Sequence, residues 1–295
     1  MPKYWSHIHG GGSMAKQKKK AASAQRGQII TLISIVVVLL VVAALILVKL
    51  NKSSSSKGTS STVAPSDVVA ATTGVPESAF AAIGYDSALP KPSSIKETSS
   101  LTKSGLPEVL YMGADYCPYC AAQRWAIVSA LSRFGSFQKL GATSSGANDV
   151  YPNTQTFSFY GSSYSSKYIA FEGVEMQTNI ASNGSYTTLQ TPTTAQNNLL
   201  TTWDKPPYTP TADGIPFVDF ANKYVLGGAS YNPGLLAGLS LQTIAGSLAQ
   251  PTSAPAKAII GTANIITATV CKIDNNQPSN VCNLGYIQQI EKALK

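Results

Sequence analysis

The chain is almost without histidine. Its 295 residues contain two, His7 and His9, and both precede Met14 in a stretch, HIHGGGS, that is typical of an upstream start or an added leader. Because histidine is absent from Met14 onward, the sequence excludes Ser-His-Asp and Cys-His catalysis from the main part of the chain. His-ligated metal sites are excluded there for the same reason.

Acidic residues are missing from the first 52 positions. That stretch holds eight of the 22 Lys and Arg residues, and the 14 remaining basic residues face all 14 Asp and Glu residues. The net charge of +8 therefore belongs to the N-terminal tail, and the rest of the chain is formally neutral. A basic face for a phosphate backbone is not supported, so no nucleic-acid partner is expected.

Residues 29–48 form an apolar run without a single charge. At about 1.5 Å per residue, a helix of this length matches a hydrocarbon core about 30 Å thick. No small-residue cleavage site follows, so we expect an uncleaved anchor in membrane lipid, with a pilin-type leader cut near Gly27 as the alternative. The basic residues before the run favour a cytoplasmic N-terminus, which places the rest of the chain outside the cytoplasm in a single-pass arrangement.

The sequence predicts four parts. They are a basic cytoplasmic tail at 1–28 with a candidate leader at 1–13, a transmembrane helix at 29–48, a flexible Ser- and Lys-rich linker at 49–63, and an extracytoplasmic domain at 64–295. A polar, aromatic-rich insertion at about 141–210 interrupts the domain.

The domain alternates helix and strand patterns, which indicates an α/β sandwich. Helices are predicted at 65–72, 75–84, 121–134, 194–203, 235–248, 256–270 and 283–294. Strands are predicted at 107–114, at 154–160 and 167–176 as a hairpin, and twice within 214–229 around a turn at 221–223, while 141–153 is predicted to be loop.

Cys117 and Cys120 form a Cys-Pro-Tyr-Cys motif between the predicted strand 107–114 and helix 121–134. The start of a helix carries partial positive charge and unpaired N–H groups, and both stabilise a thiolate. Cys117 is therefore the candidate nucleophile, and Cys120 is the thiol that resolves a mixed disulfide. Two alternatives remain: a structural bond across one helical turn, and a zinc site.

A zinc site would also need Cys271 and Cys282, but ten residues separate them and structural zinc pairs are usually two to four residues apart. No metal ion and no cofactor are expected. If Cys271 and Cys282 are bonded, they close a 12-residue loop worth roughly 3 kcal/mol. The pair is interpreted as a structural staple, with a relay that exchanges with Cys117 as the alternative.

Two segments resemble the thioredoxin superfamily. PEVLYMGADYCPYC resembles its strand and active-site elbow, and GIPFVDFANKYVLGG resembles the strand and hairpin that follow its cis-proline. The resemblance implies a thioredoxin-like fold with a long insertion and C-terminal helices. It implies that Pro216 is cis and, with Ile215, borders a groove for an extended peptide. Tyr116 and Tyr119 are expected beside that groove.

The chain departs from the thioredoxin pattern in one chemical respect. The Pro-Tyr dipeptide is that of glutaredoxins and the long interval to Pro216 is closer to DsbA-like oxidases, but Tyr111 stands where thioredoxins keep a buried aspartate. Glu108, Asp115 and Asp219 are the candidate proton acceptors in its place. Asp219, a carboxylate in an apolar strand, is expected to face solvent.

The whole pattern over residues 29–295 also resembles an uncharacterised family of membrane-anchored, thioredoxin-like archaeal proteins. We therefore expect a membrane-anchored, extracytoplasmic thiol–disulfide oxidoreductase. Its substrates would be protein thiols or disulfides, and a redox partner in the membrane would serve it. The alternative is a non-catalytic surface or envelope module on the same scaffold, in which the Cys117–Cys120 bond is permanent.

Overall fold

The computed structural model describes residues 61–97 and 99–294. The tail, the predicted membrane helix at 29–48 and most of the predicted linker lie outside the described residues. At the start of the described part, Thr62 and Val63 pair with Ala142 and Gly141 in an antiparallel strand. The linker predicted to reach residue 63 is therefore too long, because its last two residues belong to the folded domain.

The described residues contain thirteen strands, eight α-helices and one 3₁₀ turn. The strands are β1 (Thr62–Val63), β2 (Ser93–Ser94), β3 (Thr102–Lys103), β4 (Leu106–Gly113), β5 (Gly135–Gln138), β6 (Gly141–Ser144), β7 (Gln155–Ser158), β8 (Ser163–Ser166), β9 (Ala170–Glu175), β10 (Gln177–Ser182), β11 (Ser185–Thr188), β12 (Phe217–Phe220) and β13 (Tyr224–Gly227). The helices are α1 (Ser66–Thr73), α2 (Glu77–Ile83), α3 (Pro118–Leu131), α4 (Thr194–Trp203), α5 (Leu241–Ser247), α6 (Ala254–Ile273), α7 (Ser279–Cys282) and α8 (Gly285–Ala293), and the 3₁₀ turn is Pro233–Leu236.

Strand β4 is central to a six-stranded sheet. One of its edges pairs with β12, which is followed by β13 and β2, and the other pairs with β3 at its start and with β9 along the rest. Strand β9 is parallel to β4, whereas β12 and β13 are antiparallel. With both edges paired, the backbone of β4 is satisfied and the strand can be buried on both faces.

The two faces of β4 belong to two cores, because successive side chains of a strand point to opposite sides. Val109 and Tyr111 lie in the larger core, which includes α3 and α6. Leu110 and Met112 lie in a smaller core with Leu200 of α4. The domain is thus a mixed α/β structure with helices on both faces of the sheet, as the alternating pattern predicts.

Helix α3 begins within the cysteine motif. Cys117 is its N-cap and Pro118 its first residue, so the helix starts three residues earlier than predicted. Proline is suited to this position because its missing N–H has no partner in the first turn. Every residue of α3 except Tyr119 is buried. The charged side chain of Arg124 is among these buried residues and is fully enclosed.

The insertion is built from strands that the sequence pattern places incorrectly. The predicted loop 141–153 begins with β6, which pairs with both β1 and β7. The predicted hairpin of 154–176 is absent: β7 pairs with β6, β8 with β5, and β9 with β4. Alternation of apolar residues identifies a strand but not its partner, which explains the error.

The hairpin β12–β13 agrees with its prediction. Its strands pair from Phe217 with Gly227 to Phe220 with Tyr224, and Ala221 and Asn222 in the turn have positive φ. The Ile215–Pro216 peptide bond that precedes it is cis, as predicted.

Helix α6 is the one helix within the described ranges that is long and apolar enough to cross a membrane. However, 83% of its most apolar 18-residue window is buried inside the domain. Asn264 near its middle donates hydrogen bonds to the carbonyl oxygens of Phe80 and Gly84. We therefore describe α6 as a core helix. The predicted helix at 235–248 is also divided, into the 3₁₀ turn and α5.

Candidate active site

Cys117 lies at the bend between β4 and α3. The N–H of Cys120 donates to the Cys117 sulfur at 3.3 Å, and the Cys117 thiol faces the carbonyl oxygen of Ile215 at 3.7 Å. Cys117 is 5% exposed and Cys120 is fully buried. Both thiols are free in this structure. Cys117 is thus the thiol that an external sulfur would reach first.

The two thiols have opposite acidities. The pKa of Cys117 is lowered, first by a hydrogen bond from the Cys120 thiol and further by the Cys120 N–H and the Arg124 charge, although burial opposes this. The pKa of Cys120 is raised well above its usual range, first by burial and then by the neighbouring Cys117 sulfur. A low-pKa outer thiol with a high-pKa inner thiol is the division of roles that thiol–disulfide exchange requires.

Ile215 and Pro216 form the side of the site opposite the helix. The contact of the Cys117 sulfur with the Ile215 carbonyl joins residues 98 positions apart. The Pro216 carbonyl accepts from the N–H of Gly228, so the loop between β13 and the 3₁₀ turn holds this segment in place. The structure therefore brings the two residues implied by the resemblance to the dithiol.

Tyrosines surround the dithiol. The Tyr116 ring stacks on Tyr186 with centroids 4.2 Å apart and an angle of 4° between planes. The Tyr119 ring, 41% exposed, meets the Tyr151 ring edge-on at 6.1 Å. Tyr186 belongs to β11 and Tyr151 to the segment between β6 and β7, so the insertion supplies half of this tyrosine rim.

A buried ion cluster lies behind the dithiol. Arg124, one helical turn after Cys120, donates to both oxygens of Glu175, from Nε at 2.8 Å and from Nη2 at 2.7 Å. Its Nη2 also donates to the Ala114 carbonyl at 2.6 Å and lies 3.7 Å from Oδ1 of Asp115. Every member of the cluster is at most 1% exposed. Bidentate pairing compensates for much of the cost of burying this charge.

Of the three candidate proton acceptors, Asp115 alone lies at the dithiol end of β4. Glu108 is at the start of that eight-residue strand, which at about 3.3 Å per residue separates it from the bend by roughly 20 Å. Burial raises the pKa of Glu108 to about 7, and a hydrogen bond with Glu172 on β9 adds to the effect. Glu108 is therefore too distant to exchange protons with Cys120.

Asp219 is fully buried, so the expectation that it faces solvent is wrong. Its Oδ1 accepts from the N–H of Asn222 at 2.5 Å and closes the turn of the β12–β13 hairpin. Ala221 and Asn222, both with positive φ, form that turn. Burial raises the Asp219 pKa to about 7. We assign Asp219 to the hairpin rather than to the dithiol.

Cys271 and Cys282 are bonded to each other and fully buried. The bond joins the last turn of α6 to the end of α7. Lys272 shares a cavity with Pro107 and Ala221, which lie at the start of β4 and in the hairpin turn. The disulfide is thus at the end of the sheet opposite Cys117, which favours the staple over the relay.

Within the described ranges, no group of three His, Cys, Asp or Glu side chains is arranged to hold a metal ion. Sequence patterns do not identify Arg124, Glu175 or Tyr186 as residues of the site. Arg124 has one usable signal, its position four residues after Cys120, which places both on one helix face. Glu175 and Tyr186 lie 51 or more residues after Arg124 in the sequence. Strand pairing brings them to the site, so neither gives a local signal.

The fold and site define a mixed α/β protein with a free dithiol at the start of a buried helix. The model of a family described as "Domain of unknown function (DUF929)" matches residues 94–272, and the chain belongs to this family. Searches of curated proteins and of solved structures give no match. The matched range includes Cys117, Cys120 and Pro216 and ends before Cys282.

Proposed function

We propose that this protein is a thiol–disulfide oxidoreductase with a thioredoxin-like domain. Residues 29–48 would hold it in the membrane, with the domain outside the cytoplasm. The observation on which the proposal depends is the environment of Cys117: a helix N-cap with a lowered pKa, a backbone N–H donor, and a sulfur close to the Ile215 carbonyl. Such surroundings favour the thiolate, which is the reactive form in exchange.

The proposed reaction has two steps. The Cys117 thiolate attacks one sulfur of a protein disulfide, a mixed disulfide forms, and the other substrate sulfur leaves as a thiolate. Cys120 then loses its proton and attacks the Cys117 sulfur, which forms the Cys117–Cys120 bond and releases the second substrate thiolate. Two electrons pass from the dithiol to the substrate. The same steps in reverse oxidise a substrate dithiol.

The substrate would lie between the tyrosine rim and Ile215. A peptide that crosses this surface in an extended form would bring its cysteine to Cys117 and its neighbouring side chains to Tyr116 and Tyr119. Aromatic side chains provide contact area with little loss of conformational entropy, so they can bind segments of varied sequence. The membrane anchor would keep the site near a redox partner that restores the dithiol.

The non-catalytic alternative has one observation in its favour. Cys117 is only 5% exposed, and Tyr186 of the insertion is packed beside it through Tyr116. A permanent Cys117–Cys120 bond under such a cover would serve a surface module. The two proposals differ in whether Cys117 forms a bond with an external sulfur.

Trapping of the mixed disulfide tests the proposal. In the full-length Cys120→Ser variant, Cys117 is expected to form a stable covalent adduct with a disulfide-containing peptide, which non-reducing electrophoresis and mass spectrometry detect. The matched Cys117→Ser variant, which keeps the buried thiol, is expected to form none. If Cys120→Ser forms no adduct while its Cys271–Cys282 bond and secondary structure are intact, the oxidoreductase proposal is wrong.

A further inference from the structure

An Asn-Gly-Ser triplet lies at the tip of the β10–β11 hairpin. Ser182 pairs with Ser185, so Asn183 and Gly184 form a two-residue turn, and both have positive φ. All residues from 181 to 185 are exposed. Neither the Asn183 amide nor the Ser185 hydroxyl forms a hydrogen bond with another described residue. The asparagine side chain is therefore accessible from solvent without any rearrangement of the domain.

The triplet has the form of an acceptor for N-linked glycosylation, which requires asparagine, any residue but proline, and then serine or threonine. It is the only such triplet within the described ranges. Asn153 is also exposed and has positive φ, but Gln155 stands two places after it, where an acceptor needs a hydroxyl residue. The hairpin turn explains the asparagine and the glycine. It does not require a serine at the next position, so Ser185 is the residue that the turn leaves unexplained.

The β10–β11 hairpin has an exposed strand edge and no charge. Among the described strands, β11 pairs with β10 alone, so its other edge is unpaired. No Asp, Glu, Lys, Arg or Pro occurs from 177 to 190. Proteins usually protect such an edge with charged side chains, proline or a covering segment. A bulky, hydrophilic glycan at the tip would supply the protection that the side chains of this hairpin do not.

We propose that Asn183 is an N-glycosylation site that takes an oligosaccharide from a lipid-linked phosphate donor. The inference rests on one part of the proposed function, the location of the domain outside the cytoplasm. In the transfer, the side-chain nitrogen of Asn183 forms a bond with the anomeric carbon of the sugar. The bond between that carbon and the phosphate oxygen of the donor breaks, and the lipid phosphate leaves. The nitrogen loses one proton, and no group is oxidised or reduced.

The glycan would stand beside the entrance to the dithiol. Tyr186 lies on the same hairpin, and its ring stacks on Tyr116, the residue before Cys117. Asn183 precedes Tyr186 by three residues, which span no more than roughly 10 Å of chain. An oligosaccharide on Asn183 therefore borders the tyrosine rim on its β11 side. A protein that approaches the dithiol from that side would meet sugar before it meets the hairpin.

Mass spectrometry of the full-length protein, purified from the cells that naturally produce it, tests the inference. The peptide that contains Asn183 should be heavier by an oligosaccharide, with fragments that show loss of sugars and place the attachment on Asn183. Asn183→Asp and Ser185→Ala, produced in the same cells, should lose this added mass, whereas Ser185→Thr should keep it. Aspartate is suited to the same turn, and Ser185→Ala retains the asparagine, so the two variants separate loss of the acceptor from a change in the hairpin.

Asn153→Asp is the matched control, because it makes the same substitution at another exposed turn residue with positive φ. It should leave the glycan in place. An unmodified Asn183 peptide would overturn the inference. So would a peptide in which Asn183 has only been deamidated to aspartate, a reaction to which Asn-Gly pairs are prone. A glycan that persists in Ser185→Ala would show that the triplet is not the acceptor and would overturn it as well.

A second measurement separates this inference from the proposed function. A membrane-impermeant amine reagent, applied to intact cells, should label the exposed side chains of Lys167 and Lys205. If they are labelled and Asn183 is unmodified, the location stands and the inference is wrong. If they are protected, the proposed membrane arrangement fails and the inference fails with it. A glycosylated protein whose Cys120→Ser variant traps no disulfide would keep the glycan and overturn the oxidoreductase proposal alone.

Discussion

The two cysteine pairs of this domain have nearly equal burial and different states. Cys117 and Cys120 are free, whereas Cys271 and Cys282 are bonded, yet none of the four is more than 5% exposed. The two pairs differ in which end of a helix they occupy. The free pair is at the start of α3, and the bonded pair is at the ends of α6 and α7.

This difference has an electrostatic consequence. At a helix start, N–H groups and the positive end of the dipole stabilise a thiolate, and the Cys117 sulfur accepts such an N–H at 3.3 Å. At a helix end, the carbonyl groups and the negative end of the dipole oppose ionisation. A thiol near Cys271 or Cys282 would therefore be a poor nucleophile. Position relative to a helix, more than burial, distinguishes the pair proposed to be reactive from the bonded pair.

The largest expected effect on the comparison comes from removing the bonded pair. Cys271→Ala/Cys282→Ala should lower the free energy of unfolding by about 3 kcal/mol, because the 12-residue loop is no longer closed in the unfolded chain. Denaturant titration measures this loss. The exchange rate at Cys117 should stay within about twofold, since the two sites are at opposite ends of the sheet. A large fall in exchange rate in the folded variant would support the relay that we set aside.

A change of pH should distinguish the hairpin end of the sheet, where Asp219 affects stability, from the dithiol end. Burial raises the Asp219 pKa from 3.8 to about 7, so the folded state holds its proton more tightly than the unfolded chain. The stability it contributes is full below pH 3.8 and is lost as pH rises through about 7. Thermal unfolding should show a loss of stability on the order of a few kcal/mol from pH 4 to 8. Asp219→Asn should reduce this loss without abolishing it, because burial also raises the pKa of Glu108 and of Asp115.

The same Asp219→Asn variant is informative about the dithiol. It should leave the pH profile of disulfide exchange unchanged, because Asp219 closes the hairpin turn at the far end of β12. A shifted exchange profile would show that the two ends are coupled and would return Asp219 to the set of proton acceptors.

The smallest expected effect concerns the tyrosine rim. Tyr186→Ala removes the ring stacked on Tyr116 and should lower the free energy of unfolding by about 0.5–1.5 kcal/mol, the usual value of an aromatic pair. Because the tyrosine rim is proposed to contact the bound peptide, we also expect a several-fold rise in KM for peptide disulfides. The value of kcat should change little, since the ring does not contact either sulfur. Tyr186→Phe, which keeps the stack, is the control. A fall in kcat alone would place Tyr186 in the chemical step instead.

Sequence patterns predict the parts of the site that are local. The helix after the cysteine motif, the strand before it and the β12–β13 hairpin follow from apolar patterns and turn residues within a few positions of one another, although the helix begins three residues before the predicted start. The β10–β11 hairpin turns at Asn183 and Gly184, both with positive φ, and Asn-Gly is a local sequence signal for such a turn.

The parts that depend on distant pairing are not predictable in this way. Glu175 reaches Arg124 because β9 lies parallel to β4, and nothing near either residue specifies that pairing. Asp219 is misjudged for a related reason. A charged residue in an apolar strand usually faces solvent, but here the need for an acceptor in the hairpin turn outweighs the cost of burial.

The most direct test of the account is a redox titration of the full-length protein that reports each cysteine separately. The protein is equilibrated in glutathione buffers of graded potential, quenched in acid and alkylated, and the four cysteines are counted by peptide mass spectrometry. We expect Cys117 and Cys120 to convert between dithiol and disulfide within minutes, while Cys271 and Cys282 stay bonded until denaturant is added. If the Cys117–Cys120 bond, once formed, resists reduction until the chain unfolds, the oxidoreductase proposal is contradicted and the non-catalytic module takes its place.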